Sequence, residues 1–514
     1  MSADRPAAGK RGPATLTAAA LLMTASVFLS RVLGYVRDAI VAALHGAGTE
    51  TDIYYASFTL ADLMSYMLAG GALSITFLPM FSRALHERGE EAAERLFGLV
   101  ATTMAVVLVV VIAVMWVITP WVIPRLFPGF SEAALAETIH LTRINLPGQI
   151  FFYVGGLCSA TVMARTHFRA AALAPLVYNA VIIAVGLAFQ GAGIEGFAWG
   201  AVIGAVLGPF AVNVWAARMT GLRWRPSISF RDKDFGHFVR MSLPVMAGFS
   251  LVSVDEWIGR WVASGLGEGS ISWLQNARRL MLVPVSVLGQ AAGQATLPFL
   301  ARLRAEGRLE EAGKLLQSAI STVGFLTLVA SAALVALAGP GVAVFYERGA
   351  FTPEDTAATA AALVPMALGT LFWSVQALTA RGFYALEDTL TPMRLATVVT
   401  VLSVPVYLWL GRTAGVSGIG AATTLGMAAT ALITLLALRR RFPLDLQQLT
   451  VSLGRSAGLA AVAGGLAYAV ACAFGSAWLA AGFGGATLLA TVLIGARVLR
   501  IPEALPLLRR LRLA

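Results

Sequence analysis

Long apolar runs, separated by short polar segments, dominate the chain. Most of these runs exceed the ~20 residues that a helix needs to cross ~30 Å of hydrocarbon. We therefore predict fourteen membrane-spanning helices, at residues 15–44, 52–84, 93–121, 134–164, 169–190, 194–218, 236–264, 270–301, 312–338, 354–385, 391–411, 416–438, 452–474 and 477–498.

The composition agrees with a membrane protein. Of the 514 residues, 58% are hydrophobic and 13% are charged, and the mean hydropathy is +0.77. A soluble globular chain is about one quarter charged, so a soluble multidomain enzyme, a disordered chain and a coiled coil are excluded. The fold class expected is an all-α polytopic membrane protein.

The net charge of +11 has two interpretations, nucleic-acid binding and membrane topology. The basic residues favour topology, because they collect in alternate loops, as cytoplasmic loops do. The loops opposite to these hold only Arg125, Arg348 and Arg412. We therefore expect no nucleic-acid partner, and cytoplasmic N- and C-termini. The apolar stretch Ala14–Leu29 is interpreted as part of the first span, not as a signal peptide, because it continues into Arg31–Asp38.

Motifs for enzymatic chemistry are missing from the sequence. The two cysteines, Cys158 and Cys472, lie in separate apolar segments, and the histidines form no HExxH pattern. Gly191–Gly196 matches GxGxxG, but no predicted strand precedes it. We expect neither an enzyme nor a bound cofactor or metal.

An internal repeat relates the two halves of the chain. A shift of 219 residues places Pro79 on Pro298 and Arg83 on Arg302. A shift of 222 places Ala192–Gly196 on Ala414–Gly418, and a shift of 216 places Ala164–Arg165 on Ala380–Arg381. A shift of six spans keeps the membrane orientation, so the repeat predicts two pseudo-symmetric six-helix lobes around a central cavity, plus two C-terminal helices. The predicted segments are a cytoplasmic tail 1–14, an N-lobe 15–219, a cytoplasmic linker 220–235, a C-lobe 236–441, and residues 442–514 with the last two helices and a basic tail.

Charged residues inside the spans are candidates for function, because a charge at the centre of a membrane helix costs ~2.5–3.5 kcal/mol on insertion scales. One interpretation is a cavity that binds an anion, since guanidinium groups bind phosphate oxygens bidentately. The other is structural, with local neutralisation and side chains that reach the interface. The residues concerned are Arg31, Arg37, Asp38, Asp52, Asp62, His140, Arg143, Asp255, Glu256, Arg260, Arg278, Arg279 and Arg381.

Four segments resemble signatures of the MurJ/MviN family of lipid II flippases, in the MOP exporter superfamily. They are Ser30–Asp38 with the following Gly46–Gly48 and Thr51–Asp52, Ala277–Met281 before Pro284, Glu347–Thr352, and Arg381–Pro392. The resemblance covers nearly the whole chain.

The resemblance implies alternating access in a bacterial cytoplasmic membrane. The substrate would be an undecaprenyl-diphosphate-linked disaccharide-pentapeptide, flipped from the cytoplasmic to the periplasmic leaflet. It implies that Arg31, Arg37 and Arg279 contact the diphosphate, with Asp38 and Asp52 in supporting positions. It also implies that the last two helices form a groove for the lipid tail.

The sequence departs from the family pattern at three positions. Ser65 stands where an arginine is usual, Arg278 where aspartate is frequent, and Leu282 where glutamate is frequent. We hypothesise that Arg278 replaces the charge lost at Ser65. These departures leave the exact lipid substrate open.

The driving force is expected to be the membrane potential or a coupled ion such as Na⁺ or H⁺. Asp255 and Glu256 are the candidate cation-coupling residues. The alternatives are a flippase for another polyprenyl-diphosphate-linked oligosaccharide, a cation-coupled exporter of the same superfamily, and a membrane scaffold for cell-wall synthesis. The expected partners are the lipid substrate and membrane lipids, with cell-wall synthesis proteins as candidates, and the expected state is a monomer.

Overall fold

The computed structural model describes residues 13–68, 76–252 and 254–504, and within these residues all regular structure is helical. The predicted terminal tails therefore lie mostly outside the described residues, as do part of the second predicted span and residue 253 of the seventh. The helices are α1 (Pro13–His45), α2 (Thr49–Ser57), α3 (Thr59–Leu68), α4 (Leu78–Arg83), α5 (Glu90–Leu126), α6 (Glu132–Asn145), α7 (Gly148–Ala164), α8 (Arg169–Ala188), α9 (Glu195–Ala205), α10 (Asn213–Met219), α11 (Lys233–Val252), α12 (Val254–Ala263), α13 (Ser270–Pro284), α14 (Ala291–Ala305), α15 (Leu309–Ala336), α16 (Ala338–Tyr346), α17 (Pro353–Leu368), α18 (Thr370–Ala385), α19 (Leu390–Arg439), α20 (Leu446–Ala471) and α21 (Ala477–Val498).

The all-α membrane fold is confirmed. Among the described residues, nine helical segments are long and apolar enough to cross a membrane. A tenth is added if α17 and α18, bent by 43°, form one span. α19 covers two predicted spans in a single 50-residue segment with a kink at Gly415. The count of fourteen stays a prediction.

The two glycines that the repeat pairs adopt the same backbone conformation. Gly193 has φ 60° and ψ −142°, and Gly415 has φ 58° and ψ −139°. Only glycine adopts this region readily. In addition, α5 begins at Glu90 and α15 at Leu309, which is the predicted shift of 219 residues.

One pairing from the sequence is wrong. The shift of 216 placed Arg165 on Arg381, but Arg165 is the first residue after α7, whereas Arg381 lies inside α18. The equivalent helix ends are Ala164 and Ala385, because Thr166 and Glu387 both follow them by two residues with φ 62°. The dipeptide Ala-Arg occurs at both sites because of the composition of the chain. The two sites are not structurally equivalent.

By packing, the chain forms two compact units. Of the described residues, the first unit contains 13–40, 57–68, 76–123 and 136–250, and the second contains 41–56, 124–135, 251–252 and 254–504. The predicted lobes are defined by the repeat and not by packing, so their boundaries stay a prediction.

Within the first unit, the linker segment is fastened to α5. The Arg223 amide donates to Glu94 at 3.1 Å, and Glu94 is buried. Asp232 pairs with Arg95 on α5 at 3.4 Å, and Asp234 pairs with Arg88, just before α5, at 3.1 Å. The predicted linker residues 220–235 are therefore anchored along a helix by polar contacts.

Candidate functional site

Arg37, in the first unit, has its guanidinium held at two points. Its Nη2 atom lies 3.1 Å from Asp38 Oδ1, and its Nη1 donates to Asn179 Oδ1 on α8 at 3.2 Å. Asn179 is fixed in turn, because its Nδ2 donates to the Pro175 carbonyl at 3.0 Å. Asp38 is 1% exposed, whereas 16% of the Arg37 side chain is exposed. Two fixed contacts and a partly exposed guanidinium are suited to recognition of an anion.

Arg31 lies on the same helix and is exposed. α1 is continuous from Pro13 to His45. A continuous helix places Arg31 and Asp38, seven residues apart, on similar faces. Arg31 and Arg37 belong to the first unit and Arg279 to the second, so their joint contact with one ligand stays a prediction.

Asp52, in the second unit, accepts hydrogen bonds at the N-terminus of α13. Its Oδ1 accepts from the Ser272 amide at 2.7 Å and from the Ser272 hydroxyl at 2.6 Å. The first amides of a helix have no partner within the helix and favour a negative charge nearby. Gly269, which precedes α13, has φ 83° and lies so close to the Ala47 carbonyl that a Cβ atom would be 2.4 Å from it. Asp52 therefore holds in place the helix that carries Arg278 and Arg279.

Arg279 lies with its guanidinium 5.5 Å from the ring centre of Tyr55. An arginine over an aromatic ring gains cation–π stabilisation and is restricted in orientation. Both residues belong to the second unit and are at least partly buried. The position of Arg279 is thus set by the α13 terminus and by an aromatic ring.

Arg278 belongs to a charge network in the same unit. Its guanidinium lies 3.4 Å from Asp255 Oδ2 and 3.7 Å from Glu256 Oε2. Glu256 also pairs with Arg260, and Asp255 accepts a hydrogen bond from the Tyr407 hydroxyl. The carboxylates of Asp255 and Glu256, the candidate cation-coupling residues, are therefore in contact with two guanidinium groups, those of Arg278 and Arg260.

Ser65, where the family pattern has an arginine, donates to Gln149 Oε1 at 2.7 Å in the first unit. Arg278 has its own acidic partners in the second unit, so the hypothesis of charge replacement is not needed to explain its burial. The roles of both residues in transport stay predictions.

Two of the recognised signatures contain helix starts. In the first, Thr352 and Asp355 form a reciprocal capping box at the start of α17. In the second, Asp388 accepts from the Thr391 amide at 2.9 Å and from its hydroxyl at 2.7 Å. Burial alone would raise the pKa of the Asp388 carboxyl, but these hydrogen bonds outweigh it and hold the pKa below its usual value.

Several polar residues in these contacts are missing from the sequence prediction, which considered only charges within spans. Asn179, Gln149, Tyr407 and Thr423 are uncharged, but each lies inside an apolar helix and makes a polar contact there. An amide or hydroxyl in an apolar run is the signal that could have identified them.

Comparison with known sequences identifies similar proteins. The family model described as "Lipid II flippase MurJ" matches residues 41–484. The chain is similar to the probable lipid II flippase MurJ of Rhizobium tropici, with 31% identity over 391 residues, which are 73% of this chain and 72% of the relative. It is also similar to the lipid II flippase MurJ of Burkholderia cenocepacia, with 28% identity over 82% of this chain and 83% of the relative.

Solved structures of the same fold include two kinds of transporter. A lipid II flippase MurJ in an inward closed conformation matches with a TM-score of 0.79 and 22% identity, over 93% of this chain and 99% of that one. An inward-facing MATE family transporter of the MOP superfamily matches with a TM-score of 0.68 and 17% identity, over 80% of this chain and 94% of that one. These similarities confirm the predicted fold class.

Proposed function

Because the chain belongs to the MurJ family of lipid II flippases, we propose that it moves lipid II from the cytoplasmic to the periplasmic leaflet of a bacterial cytoplasmic membrane. The observation that carries the proposal is the family match over residues 41–484. That range includes Asp52 and Arg279, while Arg31 and Arg37 precede it.

The substrate's diphosphate is the part that a hydrocarbon core excludes most strongly, because an unpaired charge is costly there. Arg37 and Arg279 supply guanidinium forks that bind phosphate oxygens while remaining charged. Asp38 and Asn179 orient the first fork, and Tyr55 and the Asp52-bound helix orient the second. The lipid tail remains in the bilayer during alternating access, and no covalent bond is made or broken.

Complementation tests this function. A strain depleted of its own lipid II flippase receives the wild-type chain, Arg37→Ala, Arg37→Lys, Arg279→Ala, or the exposed control Arg412→Ala, each with its membrane level measured. We expect growth with the wild-type chain and the control, and loss of growth with both alanine variants. Arg37→Lys should flip at least about tenfold more slowly in a leaflet-accessibility assay, since a lysine cannot make the bidentate contacts of an arginine.

The outcomes of this complementation experiment test the proposed function and the proposed binding residues separately. Failure of a well-expressed wild-type chain, both in the strain and in vesicles with labelled lipid II, would contradict the proposed substrate. Growth with every arginine variant would leave the flippase assignment intact and contradict diphosphate binding by these two residues.

A further inference from the structure

A small pocket lies within the first unit, formed in part by α8, the helix whose Asn179 holds Arg37. Its volume is about 140 Å³, and its polar lining residues are Asp62, Ser65, Asn145, Gln149 and Tyr178. Pockets that enclose a whole drug-sized ligand measure about 300–1,000 Å³. This pocket therefore has room for one substituent of a larger molecule.

Gln149 offers a hydrogen-bond donor at the pocket. Its Oε1 accepts from the Ser65 hydroxyl at 2.7 Å, which orients the amide. No described residue accepts from its Nε2. Because Gln149 is only 7% exposed, its amide hydrogens have little contact with bulk water, and an acceptor on a ligand would satisfy them.

Asn145 offers the complementary acceptor. The residue is 4% exposed, and its Nδ2 donates to Ser57 at 3.0 Å. Its Oδ1 is buried and accepts from none of the described residues. Such an acceptor is uncommon in a native protein and calls for an explanation. Gln149 and Asn145 together suit a group that has one carbonyl acceptor and one N–H donor, which is a secondary amide.

Most of the remaining lining is apolar and consists of Phe58, Ala61, Phe152, Ala201 and Val202. The rings of Phe152 and Tyr178 pack edge to face, with their centres 5.2 Å apart. A water molecule could satisfy the two amides, but it would gain nothing from the apolar wall. A methyl group would bury its surface there. A secondary amide that carries a methyl group is an acetamido group.

The pocket is adjacent to the residues that hold Arg37. Tyr178, which lines the pocket, precedes Asn179 in the chain, and its hydroxyl lies within electrostatic range of the Arg37 guanidinium. A group in the pocket would therefore be close to a diphosphate bound at Arg37. In a lipid-linked oligosaccharide, the sugar attached to the diphosphate is the nearest part of the headgroup, whereas an attached peptide is further away.

We propose that this acetamido pocket binds the N-acetyl substituent of the sugar attached to the diphosphate, and so favours N-acetylated over non-acetylated lipid-linked sugars. Gln149 Nε2 donates to the acetyl carbonyl, Asn145 Oδ1 accepts from the amide N–H, and the methyl group packs against the apolar wall. The inference rests on the proposed function, because the diphosphate bound at Arg37 places the sugar at the pocket.

The test measures binding of three lipids to the purified full-length chain. They are undecaprenyl diphosphate, the same lipid carrying N-acetylglucosamine, and the same lipid carrying glucose. The two sugar lipids differ only in the acetamido group, so the ratio of their dissociation constants cancels the contributions of diphosphate and tail. The variants are Gln149→Leu and Asn145→Leu. The matched control is Asn213→Leu, because Asn213 is also 4% exposed and also has a buried Oδ1 without a donor among the described residues, but lies outside the pocket lining.

We expect the wild-type chain and Asn213→Leu to bind the N-acetylglucosamine lipid at least about tenfold more tightly than the glucose lipid, since one small group in a fitted pocket is worth about 10–200-fold. In Gln149→Leu and Asn145→Leu the ratio should approach one, while binding of undecaprenyl diphosphate stays unchanged. A ratio near one in the folded wild-type chain would overturn the proposal, whether or not the variants fold. A wild-type ratio in both pocket variants would also overturn it.

Failure of the acetamido pocket is distinguishable from failure of the proposed function. Complementation by the wild-type chain without any preference between the two sugar lipids would contradict only the pocket. A clear preference for the N-acetylglucosamine lipid in a chain that neither complements nor flips lipid II would support the pocket and contradict the proposed function.

Discussion

Two adjacent arginines on α13 have different surroundings, and this predicts different consequences of mutation. Arg278 neutralises two carboxylates, whereas the Arg279 contact described above is an aromatic ring. Removing one partner from a buried ion pair costs about 3–5 kcal/mol, because the other charge is left uncompensated. We therefore expect Arg278→Ala to lower the melting temperature more than Arg279→Ala does, and Arg279→Ala to abolish flipping at normal membrane levels.

Thermal unfolding in detergent, together with the leaflet-accessibility assay, measures both effects. The variant Arg278→Ala with Asp255→Asn should recover part of the lost melting temperature, since it removes one of the stranded charges. A stable Arg278→Ala protein that no longer flips would contradict the structural role assigned to Arg278.

At the scale of single residues, the sequence predicts which charged side chains lie within the spans but not which side chains they contact. Arg37 and Asp38 are recognisable as intramembrane charges and are neighbours in the chain. Asn179, which also holds Arg37, lies 142 residues away and carries no charge, so neither spacing nor charge indicated it. The same holds for Tyr407, whose contact with Asp255 depends on how α12 and α19 pack.

At the scale of the element, Asp52 links α2 to the start of α13. Asp52→Ala removes two hydrogen bonds and leaves the buried Ser272 amide and hydroxyl without this acceptor, at a cost of about 1–3 kcal/mol for each group. We expect a lower melting temperature and slower flipping, because α13 carries Arg279. Glu50→Ala is the control on the same helix, since 60% of the Glu50 side chain is exposed and its hydrogen bond with His45 is at the surface. Equal effects of the two variants would contradict a specific role of Asp52 at the helix terminus.

The two glycines that the repeat pairs, Gly193 and Gly415, give a second prediction at the scale of the secondary-structure element. A Cβ atom at Gly193 or Gly415 would meet nothing within 4 Å, so alanine there tests only the backbone. Both have positive φ, and strain of this kind costs about 1–3 kcal/mol. Gly454 is the control. A Cβ atom there would also meet nothing within 4 Å, but Gly454 lies inside the helix α20. We expect the first two alanine variants to lower the melting temperature and Gly454→Ala to leave it unchanged or raise it.

The repeat explains why these two positions were predictable. Ala-Gly-x-x-Gly recurs at a shift of 222 residues, and a glycine before a helix signals an unusual backbone angle. The pairing of Arg165 with Arg381 failed because two identical residues carry little information where alanine is abundant. The glycine pairing rests on a five-residue motif and the arginine pairing on only two residues. The length of the motif, and not the type of residue, explains why one pairing held and the other failed.

On the scale of the whole molecule, α19 gives the sharpest test of how often the chain crosses the membrane. At 1.5 Å per residue, its 50 residues would extend for about 75 Å, more than twice a hydrocarbon core of ~30 Å. The kink at Gly415 and the exposed Arg412 lie near the middle. Arg394 follows its start, and Arg439, Arg440 and Arg441 mark its end.

Basic residues near both ends of α19 place both ends on the cytoplasmic side, so the segment should cross twice and turn near Gly415. We expect an alkaline phosphatase fused after Arg412 to be active, since that enzyme folds in the periplasm, and fusions after Glu387 or Arg441 to be inactive. A fluorescent protein that folds only in the cytoplasm should give the reverse pattern. If α19 crossed once, the fusions after Glu387 and Arg441 would differ from each other, and the prediction of an even number of spans with two cytoplasmic termini would be wrong.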